Sequence, residues 1–348
     1  MKQYCLKKVL PLLLLLCATA VAAGDFEEGG IRYEIIDALY RIVYVTGSND
    51  APNGSGSVVI PSRVTCNGVT YKVAGIAARA FYGCSGLTDI TIPNSVTTIE
   101  NSAFAYCTAL ANVTIGDGVK TIGNLTFLNC TNLTNIVIPD NVTSIGAGAF
   151  ENCSALTNVT LGDGVTAIAD YTFAVCPALA DFEIPNSITS IGSNAFASCT
   201  SLASINIPNS VVRIGAYAFA ACDALANVTI GENVASIGNF AFVSCSGLTS
   251  LTSLIAANAL FAVGTGTFSG VDKISCTLYV PDGAAGVYAS TEGWGDFVNI
   301  VEMDFSGING AKETEAGEGI TYDLNGRVVA NPDKGIYIVG GKKCVLGN

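Results

Sequence analysis

Apolar residues recur along the middle of the chain with a period of 23 residues. The most regular element is a Phe-x-x-Cys tetrad, which first occurs at Phe81 and Cys84. The tetrad returns at the same spacing as Phe104/Cys107, Phe127/Cys130, Phe150/Cys153, Phe173/Cys176, Phe196/Cys199, Phe219/Cys222 and Phe242/Cys245. A fixed period in this range is typical of solenoids, in which each repeat buries its apolar face only against its neighbours. The pattern therefore predicts an elongated stack of repeats.

Each repeat begins with a short alternating segment. In the first repeat its apolar residues are Leu87, Ile90 and Ile92, and the six following repeats keep this spacing. Such alternation predicts a short parallel strand with Ile90 and Ile92 pointing inward. A Pro or Gly then ends the strand, as Pro93 does in the first repeat.

The remainder of each repeat carries two further apolar signals. The spacing Val96-x-x-Ile99 predicts a return leg that packs on the core. Ala103-Phe104 and its equivalents predict a short helical or 3-10 turn on the convex side. One repeat thus contains one strand, one return leg and one turn.

The combined pattern C-x-x-L-x-x-I-x-I-P-x-x-V-x-x-I-G-x-x-A-F resembles the BspA-like leucine-rich repeat family of bacterial surface proteins. The match covers residues 76–248 without insertion or deletion. The phase is then lost, because Val271 stands where a Cys would follow Phe268. The resemblance implies a leucine-rich repeat solenoid, capped at both ends, that has no enzymatic activity and needs no cofactor.

The predicted segments, in chain order, are a signal peptide (1–23), an N-terminal β-cap (24–75), leucine-rich repeats (76–256), a C-terminal cap (257–303), a linker (304–319) and a β-hairpin tail (320–348). Three lysines, a leucine-rich run and a small-residue site before Ala23 predict export. No stretch is long enough to span a bilayer. Cys17 leaves lipid attachment open, although Leu16 is large for such a signal.

The tail contains two hairpin signals, Asn325-Gly326 and Gly340-Gly341. The run Tyr322-Asp-Leu-Asn-Gly-Arg327, together with Gly335-Ile-Tyr-Ile-Val339, resembles the C-terminal sorting tails of type IX secretion in Gram-negative bacteria. This resemblance implies a cell-surface, outer-membrane-associated or secreted protein. A small accessory β-domain without a sorting role is the alternative.

The eight repeat cysteines are predicted to be buried free thiols. Parallel side chains in a ladder do not offer the crossed geometry of a disulfide. A free Cys also behaves as a small buried hydrophobe. Cys66, Cys276 and Cys344 lie outside this column, and the sequence assigns them no partner.

If the strand residues Ile90 and Ile92 point inward, their neighbours point outward on the predicted concave face. The resulting candidate binding residues are Asp89, Thr91, Asn112, Thr114, Asn135, Asn158, Thr160, Asp181, Glu183, Asn206 and Asn227. Extended faces of this kind bind ligands in many solenoids. Equally, small polar residues can merely solvate the sheet, or hydrogen bond along the ladder. No aromatic row is predicted on this face.

Composition restricts the chemistry. The chain of 348 residues has a net charge of −12, which disfavours nucleic acid as a partner. It contains no histidine, which removes Ser-His-Asp and Cys-His catalysis and the commonest zinc ligands. Asp181 and Glu183 form the only imaginable carboxylate pair, and surface charge explains them better. The Gly116-Asp-Gly118 and Gly162-Asp-Gly164 motifs are explained by tight turns, so no metal site is predicted.

The function expected from the family resemblance is adhesion to host matrix or cell-surface proteins through the repeat surface. A shared scaffold does not fix a ligand, so two other functions stay open. One is glycan binding at the surface, and the other is a structural role in the cell envelope without a specific ligand. The sequence leaves the oligomeric state unspecified.

Overall fold

The computed structural model describes residues 24–48 and 56–305, together with the backbone of residues 321–322, 335–339 and 342–346. The described chain forms a β-solenoid of about ten turns with a repeat of about 23 residues. The predicted signal peptide and most of the predicted linker lie outside the described residues.

The N-terminal strands form a sheet that merges with the solenoid. Their bounds are β1 (Asp25–Glu28), β2 (Ile31–Asp37), β3 (Ile42–Ser48), β4 (Gly56–Val59), β5 (Arg63–Cys66) and β6 (Val69–Ile76). Strands β1, β2 and β3 pair antiparallel, and β3 then pairs parallel with β6. Because residues such as Tyr33 and Val43 are buried beneath this sheet, it covers the start of the apolar core.

The repeats contribute strands to two parallel ladders. In chain order these strands are β7 (Leu87–Ile92), β8 (Thr98–Ile99), β9 (Asn112–Ile115), β10 (Thr121–Ile122), β11 (Asn135–Ile138), β12 (Ser144–Ile145), β13 (Asn158–Leu161), β14 (Ala167–Ile168), β15 (Ser190–Ile191), β16 (Ser204–Ile207), β17 (Arg213–Ile214), β18 (Asn227–Ile230), β19 (Ser236–Ile237) and β20 (Ser250–Ser253).

The longer strands form the first ladder, and their outward surface is called the strand face below. It comprises the groups β4-β7-β9, β11-β13 and β16-β18-β20, the last of which is extended by β21 (Thr277–Pro281) and β22 (Asn299–Met303). The two-residue strands form a second ladder along the return leg, in the groups β8-β10-β12, which follows on from β6, and β14-β15-β17-β19. The predicted return leg is therefore itself a parallel β-structure.

The Ala-Phe segment differs from its prediction. It forms consecutive turns, and the only helices in the described part of the chain lie beyond the repeats. The backbone here enters the left-handed region twice in a repeat, for example at Ser102 (φ 57°) and Tyr106 (φ 65°). Alternate N–H groups bond either within the turn or to the next repeat, as Phe81 N does to Ala103 O at 2.7 Å. Such alternation cannot produce a helix, which requires successive right-handed residues.

The phenylalanines form one continuous stack. Ring centroids of successive repeats lie 5.1 Å apart from Phe81 to Phe104 and 5.7 Å apart at the last step, from Phe242 to Phe268. Offset stacking of this kind adds about 0.5–1.5 kcal/mol per pair to the burial of each ring. The predicted loss of phase therefore leaves the core intact, since Phe268 extends the stack and Val271 is buried where the Cys would lie.

The cysteines lie beside this stack as buried free thiols, as predicted. Each thiol after the first donates to the carbonyl of a phenylalanine in the preceding repeat, as Cys107 Sγ does to Phe81 O at 3.0 Å. The equivalent bonds run through to Cys245 and Phe219 at 3.1 Å. Burial raises the pKa of the Cys130 thiol to about 12, despite an opposing hydrogen bond from the Cys107 backbone. The repeat cysteines therefore act as small buried apolar side chains that fill the core.

The segment predicted as a C-terminal cap continues the first ladder. It contains a 3-10 helix (Ala257–Ala259), β21 (Thr277–Pro281), helix α1 (Ala285–Ser290) and β22 (Asn299–Met303). Strand β20 pairs parallel with β21, and β21 pairs parallel with β22. The buried Trp294 lies near the end of the phenylalanine stack, and its Nε1 donates to Phe261 O at 3.0 Å. Large aromatic rings thus cover the last layer of the core.

The tail contains β23 (Thr321–Tyr322), β24 (Gly335–Val339) and β25 (Lys342–Leu346). Strands β24 and β25 form the predicted antiparallel hairpin around residues 340–341. The other predicted turn, Asn325-Gly326, lies outside the described residues, and β23 pairs with β24. A sorting role for the tail stays a prediction.

Candidate interaction surface

The strand face carries two columns of outward side chains. Parallel pairing aligns Asp89 with Asn112 in the first column and Thr91 with Thr114 in the second. The same register aligns Asn135 with Asn158. Further along, the alignments are Val137 with Thr160, Ser204 with Asn227, and Asn206 with Thr229. The structure therefore places the predicted residues other than Asp181 and Glu183 in rows, most of them exposed, with Asp89 and Thr91 half-buried.

Asp89 is held by its neighbours. Its Oδ2 accepts the hydroxyl of Thr88 at 2.6 Å, and its Oδ1 accepts Nδ2 of Asn112 at 2.7 Å. These two hydrogen bonds, the Thr88 bond first, lower the pKa of the Asp89 carboxyl below its usual value. Asp89 is accordingly a fixed carboxylate at neutral pH.

The asparagines of the next two aligned strands are also bonded along the column. Asn158 Nδ2 donates to Asn135 Oδ1 at 3.2 Å, and Asn135 Nδ2 donates to Thr134 Oγ1 at 2.9 Å. Hydrogen bonding along the ladder, one of the open explanations for the repeated Asn, is thus present here. These amides keep further donor and acceptor capacity, since each can make four hydrogen bonds.

The first ladder is interrupted at residues 181–184, which form no strand. Other repeats carry Val, Ile or, at position 251, Leu where Phe182 lies. The Phe182 ring packs between two rings of the stack, with centroid distances of 5.1 Å to Phe173 and 4.8 Å to Phe196. We attribute the interruption to this larger side chain. One strand predicted for every repeat is therefore missing here.

The interruption leaves a shallow cleft of about 500 Å³, lined in part by Thr160, Asp163 and Glu183. Asp181 and Glu183 are both exposed on the leg that forms no strand, and Glu183 lines the cleft. Catalytic carboxylates generally need a desolvated setting that shifts a pKa. Both side chains are exposed to solvent, as expected for surface charges and not for a catalytic pair.

The C-terminal end of the strand face was missed by sequence reasoning. The second column continues there through Thr252, Tyr279 and Val301, which parallel pairing aligns. An aromatic side chain therefore does occur on this face, at its C-terminal end. The alternation Leu278-x-Val280 was a usable signal, but assigning the segment to a cap concealed it.

Charge is unevenly distributed around the solenoid. Between residues 87 and 253 the only basic residues are Lys120 and Arg213. Arg213 belongs to the return-leg strand β17, and Lys120 directly precedes β10. The strand face and the turns that follow it carry acidic side chains, including the exposed Asp117, Asp140 and Asp163. The charged side chains on this side of residues 87–253 are therefore all acidic, among a majority of neutral polar residues.

The Gly-Asp-Gly turns are explained by close packing. A Cβ at Gly118 would lie 1.9 Å from the carbonyl oxygen of Asn94, so only glycine fits there. The backbone N–H of Asp117 donates to Asn94 Oδ1 at 3.0 Å. Within the described residues, no group of three His, Cys, Asp or Glu side chains could hold a metal ion.

The sequence profile described as BspA type leucine rich repeat region matches residues 67–180 and 166–284, in six copies. These matches cover more than half of the chain. The chain belongs to the BspA-type leucine-rich repeat family. Its 23-residue coils, buried Phe-x-x-Cys column and parallel strands are the structural form of that repeat.

Several solved structures resemble this BspA-type chain. A leucine rich cell surface protein from Faecalibacterium prausnitzii is 24% identical, with 80% of this chain and 94% of that chain covered and a TM-score of 0.38. A leucine-rich repeat protein from Bacteroides ovatus is 27% identical, with coverage of 81% and 89% and a TM-score of 0.37. The pneumococcal vaccine antigen PcpA is 17% identical, with coverage of 81% and 99% and a TM-score of 0.45.

No curated protein matches the chain. Among the described residues, no helix is both long and apolar enough to cross a membrane.

Proposed function

We propose that this protein is an exported, non-enzymatic adhesion molecule that binds host matrix or cell-surface proteins through its strand face. Membership of the BspA-type family supports a role at the bacterial surface. The observation that carries the proposal is the pair of outward columns, aligned within each hydrogen-bonded group of strands. A long, regular and rigid face of this kind suits a large partner better than a small substrate.

The charge of this face supports a partner with a basic contact surface. Carboxylates such as Asp181 and Glu183 are exposed. The basic residues between positions 87 and 253, Lys120 and Arg213, lie on the return leg. Complementary charge raises association rates and excludes partners of like charge. Binding should therefore weaken as salt is added.

Immobilised protein that begins at residue 24 can test this proposal against matrix proteins and whole host cells. The variant Asp181→Asn/Glu183→Gln removes the two exposed charges at the interruption of the strand face, with little change in shape. A matched control, Asp223→Asn/Glu292→Gln, removes two exposed charges elsewhere. We expect roughly tenfold weaker binding in the first variant and unchanged binding in the control. Equal binding by both variants, or no binding to any matrix protein or cell, would contradict the proposal.

A further inference from the structure

The C-terminal end of the solenoid carries an exposed apolar patch. Ile274 is 73% exposed, Val298 is 68% exposed, and Val301 on β22 is 42% exposed. Val298 N donates to Lys273 O at 3.0 Å, and Asn299 Nδ2 donates to Ile274 O at 2.9 Å. The two turns that carry Ile274 and Val298 therefore lie side by side. We call Ile274, Val298 and Val301 the end patch.

The strand beside the end patch has an open edge. Among the described residues, β22 pairs with β21 on one side and with no strand on the other. Its sequence, Asn299–Met303, contains neither Lys nor Pro, the residues that commonly block pairing at an exposed edge. Because the last coil of a solenoid has no following coil to cover it, such an end calls for a covering element.

Acidic side chains surround the end patch. Asp272 precedes Ile274 by two residues, Asp296 precedes Val298 by two residues, and Glu302 follows Val301. The acidic residues of segment 257–303 are all exposed, and they are Asp272, Asp282, Glu292, Asp296 and Glu302. Lys273 is the only basic residue of this segment, and it pairs with Asp296 at 2.9 Å. A fitting partner therefore combines apolar and basic residues.

The tail sheet, β23–β25, has apolar residues on both faces. Pairing of β24 with β25 aligns Ile336 with Val345 and Tyr337 with Cys344. Paired residues share a face and successive residues alternate, so one face holds Ile336 and Val345 and the other holds Tyr337 and Cys344. A three-stranded sheet of this size cannot bury two apolar faces by itself. In the structure it pairs with no strand of the solenoid.

The tail also has the opposite charge to the end of the solenoid. Residues 321–348 contain four basic and two acidic residues, which gives +2, in a chain whose net charge is −12. Segment 257–303 contains one basic and five acidic residues, which gives −4. Two of the tail's basic residues, Lys342 and Lys343, begin β25. Complementary charge therefore favours contact between these two segments.

The connection between the two segments makes their contact inexpensive. Residues 306–320 join the end of the solenoid to the tail sheet, and a chain of this length spans at most about 50 Å. Tethering of this kind gives an effective concentration on the order of millimolar. A weak contact that would not hold two separate molecules together is therefore enough.

We propose that the tail sheet docks on the end patch and the open edge of β22 in the same chain. One apolar face of the tail covers Ile274 and Val298, and Lys342 and Lys343 meet the surrounding carboxylates. The proposal is independent of the adhesion function and of any sorting role of the tail.

The first experiment measures contact in the whole protein from residue 24 to residue 348. A carbodiimide joins a lysine to a carboxylate only where the two touch, and mass spectrometry identifies the linked peptides. We expect Lys342 or Lys343 to be linked to Asp272, Asp296 or Glu302. These links should exceed those to the exposed Asp117, Asp140 and Asp163 by about tenfold or more. A mixture of unlabelled and ¹⁵N-labelled protein separates links within one chain from links between chains.

The second experiment removes the end patch. Ile274→Ser/Val298→Ser should reduce the links about tenfold and should make the amides of β22 and β24 exchange hydrogen about tenfold faster. The control Val59→Ser/Val137→Ser removes two similarly exposed valines, 65% and 61%, from the strand face and should change neither quantity. Unchanged exchange in β8 and β10 verifies that each variant keeps the solenoid fold.

Three results would overturn the proposal. They are lysine links spread over the exposed carboxylates of the whole chain, links formed only between labelled and unlabelled chains, and exchange in β22 and β24 that ignores the loss of the end patch. The two proposals fail separately, because Ile274→Ser/Val298→Ser leaves Asp181 and Glu183 intact and should bind protein partners normally. Conversely, Asp181→Asn/Glu183→Gln should leave the tail links unchanged.

Discussion

Asn112 donates a hydrogen bond from Nδ2 to Oδ1 of Asp89, 23 residues earlier in the chain, across 2.7 Å. The two side chains belong to neighbouring strands and are aligned by parallel pairing. The hydrogen bond therefore joins equivalent positions of two successive repeats in the first column of the strand face.

The Asp89 carboxyl should titrate below the usual range because Thr88 and Asn112 both donate to it. A depressed pKa in the folded state contributes stability above the unfolded pKa, and that contribution is lost as the pH falls through the folded pKa. Carboxyl NMR titration should show the pKa rising in Thr88→Val, and rising less in Asn112→Ala. An unchanged pKa in Thr88→Val would contradict this assignment of cause.

The column cysteines should resist alkylation in the folded protein. Cys107 to Cys245 are fully buried, and burial raises the pKa of thiols such as Cys176 to about 12. Thiolate, the reactive form, is therefore scarce at pH 8. Mass spectrometry after iodoacetamide treatment should show modification of the half-buried Cys66 first, and of the column only in denaturant. Paired cysteine masses before reduction would contradict the free-thiol assignment.

Phe182→Ile should restore the interrupted ladder. Ile occupies this position in three other repeats, and it lacks the ring that packs against Phe173 and Phe196. The amides of residues 181–184 should exchange hydrogen quickly in the wild type and at least about tenfold more slowly in the variant. Phe182→Ala serves as the comparison, because its cavity should cost about 3–5 kcal/mol. Slow exchange of these amides in the wild type would show that the interruption is not real.

Gly118→Ala should destabilise the protein by about 2–4 kcal/mol, because its Cβ would overlap the carbonyl oxygen of Asn94. Gly286→Ala is a matched control, since Gly286 lies in helix α1 with nothing within 4 Å of a Cβ. The control should be neutral or more stable by up to about 1 kcal/mol. Denaturant unfolding measures both variants, and equal effects would refute the close-approach argument.

The sequence by itself determined the solenoid. A 23-residue period leaves each repeat with an apolar face that only an adjacent copy can bury, so residues such as Phe81 and Cys84 had to form a stacked core. Period-two alternation likewise determined which strand residues face outward, because Cβ direction alternates along a strand.

Only the tertiary structure decided how neighbouring coils meet. Phe182 has the same apolar character as Ile in a sequence pattern, but its volume interrupts the ladder once Phe173 and Phe196 are packed beside it. The turn segments became left-handed turns instead of helices because their N–H groups bond to the next coil. A period describes one coil, whereas these features depend on distances between coils.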